Sequence, residues 1–95
     1  MNQLNGMTAI VTGAAQGLGR AFAERLSSEG CNVAITDKRH EVVLVGKSLG
    51  ALSFQGDVSD SKHVHQVVSS TVEQFGTIDI LVNNAGTNRP EYFTK

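Results

Sequence analysis

The stretch Thr12-Gly13-Ala14-Ala15-Gln16-Gly17-Leu18-Gly19 decides how this chain is read. An apolar run over residues 7–11 leads into it, and an amphipathic run over residues 18–26 leads out. That order is a strand, a tight glycine turn and a helix that begins inside the turn. Helix N-termini present unpaired backbone N–H groups and the positive end of the macrodipole, so they attract phosphate. Glycine suits such a turn because a Cβ would block close approach of a ligand or force strain at positive φ. The turn is therefore expected to seat a pyrophosphate.

The glycine spacing differs from the G-x-G-x-x-G dinucleotide fingerprint. Gly13 is followed by three residues and then by Gly17-Leu18-Gly19. Glycines alone also fit an ordinary βα turn, so the flanking elements and a correctly placed acid must carry the argument.

Working outward, residues 7–12 read as a short, nearly continuous apolar strand, as expected where both faces are covered. The helix after the turn carries Leu18, Ala21, Phe22 and Leu26 on one stripe and stops at Gly30. A second strand over residues 32–36 ends at Asp37. Residues 38–49 are ambiguous, because Val42-Val43-Leu44-Val45 is β-branched. The alternating order favours a crossover helix there, since parallel strands need one. Gly46-Lys47-Ser48 resembles the end of a P-loop, but Glu41 stands where that motif needs glycine, and the motif is rejected.

A third strand over residues 51–55 leads to Gly56-Asp57-Val58, and Ser59 or Asp60 caps the next helix. That helix has Val64, Val67, Val68, Thr71, Val72 and Phe75 on one face, and Gly76 ends it. His63 and His65 are two apart, cannot jointly grip a metal, and are expected to face solvent. A fourth strand over residues 78–82 is followed by Asn83-Asn84-Ala85-Gly86. The remainder reads as polar, with no strand.

The pattern βαβαβαβ with right-handed crossovers predicts an α/β fold, a Rossmann-type doubly wound parallel sheet in the order 3-2-1-4. Residues 1–95 form part of a single dinucleotide-binding domain. Every polar and glycine motif then falls at the carboxyl ends of strands, where such sheets bind ligands.

Composition narrows the field. The 95 residues are 40% hydrophobic, enough for one small core. A net charge of -1 and a pI near 6.2 give no footprint for nucleic acid or an anionic membrane. No apolar run approaches a bilayer span, and the N-terminus lacks the pattern of a signal peptide. The single cysteine, Cys31, precludes an internal disulfide and reads as a small packed side chain. A cytoplasmic location is expected.

Asp37 lies 18 residues beyond Gly19, at the end of the second strand. A carboxylate there accepts both hydroxyls of an adenosine ribose and repels a 2′-phosphate, which favours NAD over NADP. Lys38 and Arg39 follow at once and pull the other way.

With these features in place, the sequence resembles the short-chain dehydrogenase/reductase family in its classical form. The resemblance rests on Thr12-Gly13-x-x-x-Gly17-x-Gly19, Asp37, Asp57-Val58 and Asn83-Asn84-Ala85-Gly86, in order across essentially the whole chain. It implies that Gly13, Gly17 and Gly19 line the pyrophosphate turn, with Leu18 lending a backbone N–H. Gln16 stands where NADP-preferring relatives often carry a base, in keeping with NAD. The resemblance further implies that Asp57 accepts from the adenine amino group and that Val58 addresses the ring. Asn84, Ala85 and Gly86 would pass beside the ribose, while Asn83 would tie strands together. For Asp57 and Asn83 the alternative is a turn residue satisfying its own backbone.

The family's Ser and Tyr-x-x-x-Lys, which act as acid, base and ribose anchor, are expected beyond residue 95. Tyr92-Phe93-Thr94-Lys95 has the wrong spacing and position, so no catalytic residue is assigned. The chain thus reads as the cofactor-binding half of an oxidoreductase that moves hydride between NAD and an alcohol or ketone. It should lack activity alone and leave an uncovered apolar edge on strand 4. A homo-oligomer is expected for a full-length form. The alternatives are a natural truncated binding or interaction protein and, more distantly, a methyltransferase.

Overall fold

The computed structural model describes residues 3–85 and the backbone of residues 91–94. Its elements are β1 (Thr8–Thr12), α1 (Gly17–Ser28), β2 (Asn32–Asp37), α2 (Glu41–Leu49), β3 (Leu52–Gln55), α3 (Ser61–Phe75), β4 (Ile80–Asn83) and β5 (Glu91–Thr94). The sheet order is β3-β2-β1-β4-β5. The first four strands are parallel in the expected 3-2-1-4 order, with Ile10 level with Ala34 on one side and Leu81 on the other.

β1 is buried along its whole length, as a central strand must be when helices cover both faces. The strand period of two then divides the core. Ala9, Val11, Val33, Ile35, Ile80 and Val82 face α1 and α2, meeting Ala23, Leu26, Val42 and Val45. Ile10 and Ala34 face the other way and meet Val67 of α3. Residues 41–49 are helical despite their β-branched run. Val42 and Val45, three apart, both reach the sheet, so burial outweighs local propensity.

The Asp60 carboxylate caps α3, accepting from the Lys62 N–H at 3.0 Å. The inward line of α3 is His63, Val67 and Thr71. Val64, Val68 and Val72 remain 39–42% exposed. His63 is therefore not a solvent-facing residue. It begins an i, i+4 line of buried positions and is 8% exposed, with the Thr36 hydroxyl as its polar partner. His65 does face solvent.

The edge of β4 is covered as well, contrary to the sequence reading. β5 pairs with it antiparallel, setting Phe93 opposite Leu81 and Tyr92 opposite Val82. Tyr, Phe and Thr favour a pleated strand, and the pairing satisfies backbone groups that an open edge would leave unmatched.

Candidate functional site: a cleft at the carboxyl ends of the parallel strands

The glycine turn is built by close approach. Gly13 has φ +65°, and a Cβ on it would lie 3.0 Å from the Ala85 nitrogen. A Cβ on Gly19 would overlap the Gly13 carbonyl oxygen, so α1 packs directly under the turn. Gly17 has φ +62° with nothing within 4 Å of where its Cβ would stand, which leaves that side of the turn open. Gln16, the N-cap of α1, is extended and makes no side-chain cap bond, and the first turn holds no acidic residue. The first turn of α1 thus supplies no counter-charge of its own to this helix end.

Thr12 joins the turn to β4. Its hydroxyl donates to Asn83 Oδ1 at 3.0 Å and accepts from the N–H groups of Asn84 at 2.9 Å and Ala85 at 3.1 Å. Asn84 Nδ2 donates to the Gly13 carbonyl at 3.3 Å. One hydroxyl and one amide thereby fix two loops that the sequence separates by about 70 residues.

Asp37 closes the next side. Its Oδ2 accepts from the Ala15 N–H at 2.9 Å, and its Oδ1 accepts from the Arg39 N–H at 3.0 Å. A carboxylate has about four acceptor sites, so roughly two stay available. Asp57, at the exit of β3, accepts from the Ser59 N–H at 2.9 Å. The backbone and hydroxyl of Ser59 hold its carboxyl below the ordinary range, with smaller help from Lys38 and His63.

These groups surround one cleft of about 680 Å³. Gly13, Gln16, Gly17, Leu18, Asp37, Asp57, Val58, Asn84 and Ala85 line it, as sequence reasoning grouped them. Gly19 lies behind the turn rather than on the wall, and Gly86 falls outside the described residues. Lys38, Arg39, Gly56 and Ser59 also line the cleft. Asn83 bridges β4 to β1 through Thr12. The sequence reading missed the junction at Thr12 and the buried imidazole. Its available signal for the first was a hydroxyl residue closing the strand after the apolar Ala9-Ile10-Val11 and directly before glycine.

Elsewhere the chemistry is sparse. Among the described residues no cluster of three or more His, Cys, Asp or Glu is placed to hold a metal ion. No described helix is long and apolar enough to cross a membrane. The Cys31 thiol donates to the Leu4 carbonyl at 3.4 Å. Burial pushes its pKa up, with Glu29 and Asp79 adding to the effect. Tyr92 lies on a strand, opposite Val82, not on a helix.

Comparison with known proteins agrees with this geometry. The family model for short chain dehydrogenases matches residues 7–95. The chain is 41% identical over 100 residues to human 15-hydroxyprostaglandin dehydrogenase (NAD(+)), covering 97% of this chain and 38% of that protein. It is 43% identical over 89 residues to a 3-oxoacyl-(acyl-carrier-protein) reductase of Staphylococcus aureus, covering 86% and 36%. Among solved structures, 3-ketoacyl-(acyl-carrier-protein) reductase from Brucella melitensis complexed with NADH superposes with a TM-score of 0.79 at 33% identity. That match covers 83% of this chain and 34% of the other. The chain spans little more than a third of the length of these relatives. By its motifs, its strand order and these matches, the chain belongs to the short-chain dehydrogenase/reductase family.

Proposed function

We propose that the cleft binds NAD, with NADP the weaker ligand, as the cofactor-holding part of an oxidoreductase acting on an alcohol or ketone. The observation that carries this reading is the convergence of a glycine turn, Asp37 and Asp57 on one cleft of about 680 Å³. The fit is specific to the parts of the molecule. The open face of Gly17 and the uncapped start of α1 receive the pyrophosphate. The two spare acceptor sites of Asp37 receive the ribose hydroxyls. Asp57 accepts from the adenine amino group, and Val58 contacts the ring. Asn84 and Ala85 pass beside the second ribose. A named NAD(+) dehydrogenase and an NADH-bound reductase among the relatives support the cofactor class.

When bound, the nicotinamide supplies the hydride acceptor or donor. The chain's own residues bind and orient; none of them is assigned a proton-transfer role. Residues 1–95 alone are expected to bind without turnover; a cytoplasmic setting and a homo-oligomeric full-length form are further parts of the proposal.

The test is a titration of the ¹⁵N-labelled chain with NAD, NADP and nicotinamide mononucleotide. Shifts at Gly13, Gly17, Asp37 and Asp57 with NAD, larger than with NADP, support the reading. Absence of shifts with any dinucleotide would overturn it.

A further inference from the structure

We infer that His63 is a positioning residue for the adenosine end of the cleft, because its buried ring props the residues directly before both Asp37 and Asp57. This rests on the dinucleotide reading above. His63 Nε2 and Thr36 Oγ1 lie 2.6 Å apart in a buried hydrogen bond. Thr36 immediately precedes Asp37 on β2. The other side of the ring lies against Gly56, where any Cβ would overlap the imidazole. Gly56 immediately precedes Asp57 and donates its N–H to the Asp37 carbonyl at 2.9 Å. One ring in the first turn of α3 thus touches the backbone supports of both carboxylates.

An aliphatic side chain would fill the same space but would leave the Thr36 hydroxyl unpaired. A buried imidazole adds direction, because its hydrogen bond fixes where the end of β2 sits relative to the exit of β3. Binding groups on two different strands act together only when their spacing is held to a fraction of an ångström. The β2–β3 pairing sets the spacing of Asp37 and Asp57, and this ring adds a side-chain tie that steadies it. The other two histidines, His40 and His65, are exposed and have no such part.

The experiment compares Thr36→Val, His63→Leu and His63→Gln with the unaltered chain, titrating each with NAD and NADP. Thr36→Val keeps the β-branched shape, so it tests the hydrogen bond without removing bulk. Thr36→Val and His63→Leu are expected to weaken NAD about tenfold and to shrink the preference over NADP. His63→Gln, which restores a polar partner for Thr36, is expected to stay within about threefold. If the unaltered chain binds NAD and a folded Thr36→Val binds it equally well with the same preference, this inference fails while the dinucleotide reading stands. If the unaltered chain binds neither nucleotide, the reading fails and the inference falls with it. Should His63→Leu not fold, Thr36→Val decides alone.

Discussion

Asp37 and Ala15 are joined across 22 residues of sequence by a hydrogen bond from the Ala15 N–H to Asp37 Oδ2 at 2.9 Å. The acid at the end of β2 therefore shapes the glycine turn as well as facing the cleft. On the proposed reading, its charge and its geometry would act on the same ligand.

Asp37→Ala should accordingly have two effects. NAD affinity should fall about tenfold or more, and the gap between NAD and NADP should narrow as the repelling charge disappears beside Lys38 and Arg39. Amide exchange at Ala15 should also accelerate. Unchanged exchange at Ala15 with reduced affinity would mean that the carboxylate acts on the ligand alone.

Thr12→Val should destabilise the fold by about 1–3 kcal/mol, because Asn84 and Ala85 lose an acceptor and Asn83 loses a donor in a crowded junction. Thr12→Ser retains the hydroxyl and should cost less. Urea unfolding followed by circular dichroism reads both; equal midpoints for valine and serine would refute the hydroxyl's role.

Gly19→Ala should be among the most damaging small substitutions, since the added methyl would overlap the Gly13 carbonyl. The expected loss is about 1–3 kcal/mol from overpacking, with weakened NAD binding as the turn shifts. Gly17→Ala is a different case: it meets no neighbour but must hold φ +62° and would intrude on the open side of the turn. Calorimetry should show Gly17→Ala impairing binding more than its stability loss explains.

Asp57 should titrate below the ordinary aspartate range, because the Ser59 backbone N–H and hydroxyl stabilise its charged form. A lowered folded pKa means that the carboxylate's contribution is present above the unfolded value and disappears as pH falls through the folded one. Adenosine-end binding should therefore persist through mildly acidic pH as far as Asp57 is concerned. Ser59→Ala removes the hydroxyl contact but keeps the backbone N–H, so it should raise the midpoint partway. A carbon-detected NMR titration of the Asp57 side chain provides the measurement.

The sequence carried the parallel core because its signals were local and redundant: apolar strands, glycine stops, one crossover per pair. It carried the cleft for the same reason, since Asp37 closes β2, Gly17 opens α1, and Gly13 and Asp57 lie in the loops that leave β1 and β3. What it hid were side-chain partnerships across the sheet. His63 looks polar on a helical wheel, and only the nearby Thr36 makes its burial sensible. The inward line of α3 keeps Val67 and Thr71 of the expected face, adds His63, and leaves Val64, Val68 and Val72 partly exposed. β5 was hidden because four residues carry too little periodicity to outweigh their polar surroundings. Its pairing depends on β4, which periodicity within the segment cannot report.

The two faces of the sheet are covered unequally, by α1 and α2 on one side and by α3 on the other. Val64 and Val68 rim a hollow of about 300 Å³ that also reaches Ile10, Ile78 and Leu81. Salts excluded from protein surfaces strengthen the tendency of such apolar area to leave water. A preparation of this chain should consequently salt out early in ammonium sulfate, and replacing Val68 with lysine should raise the concentration at which it does so.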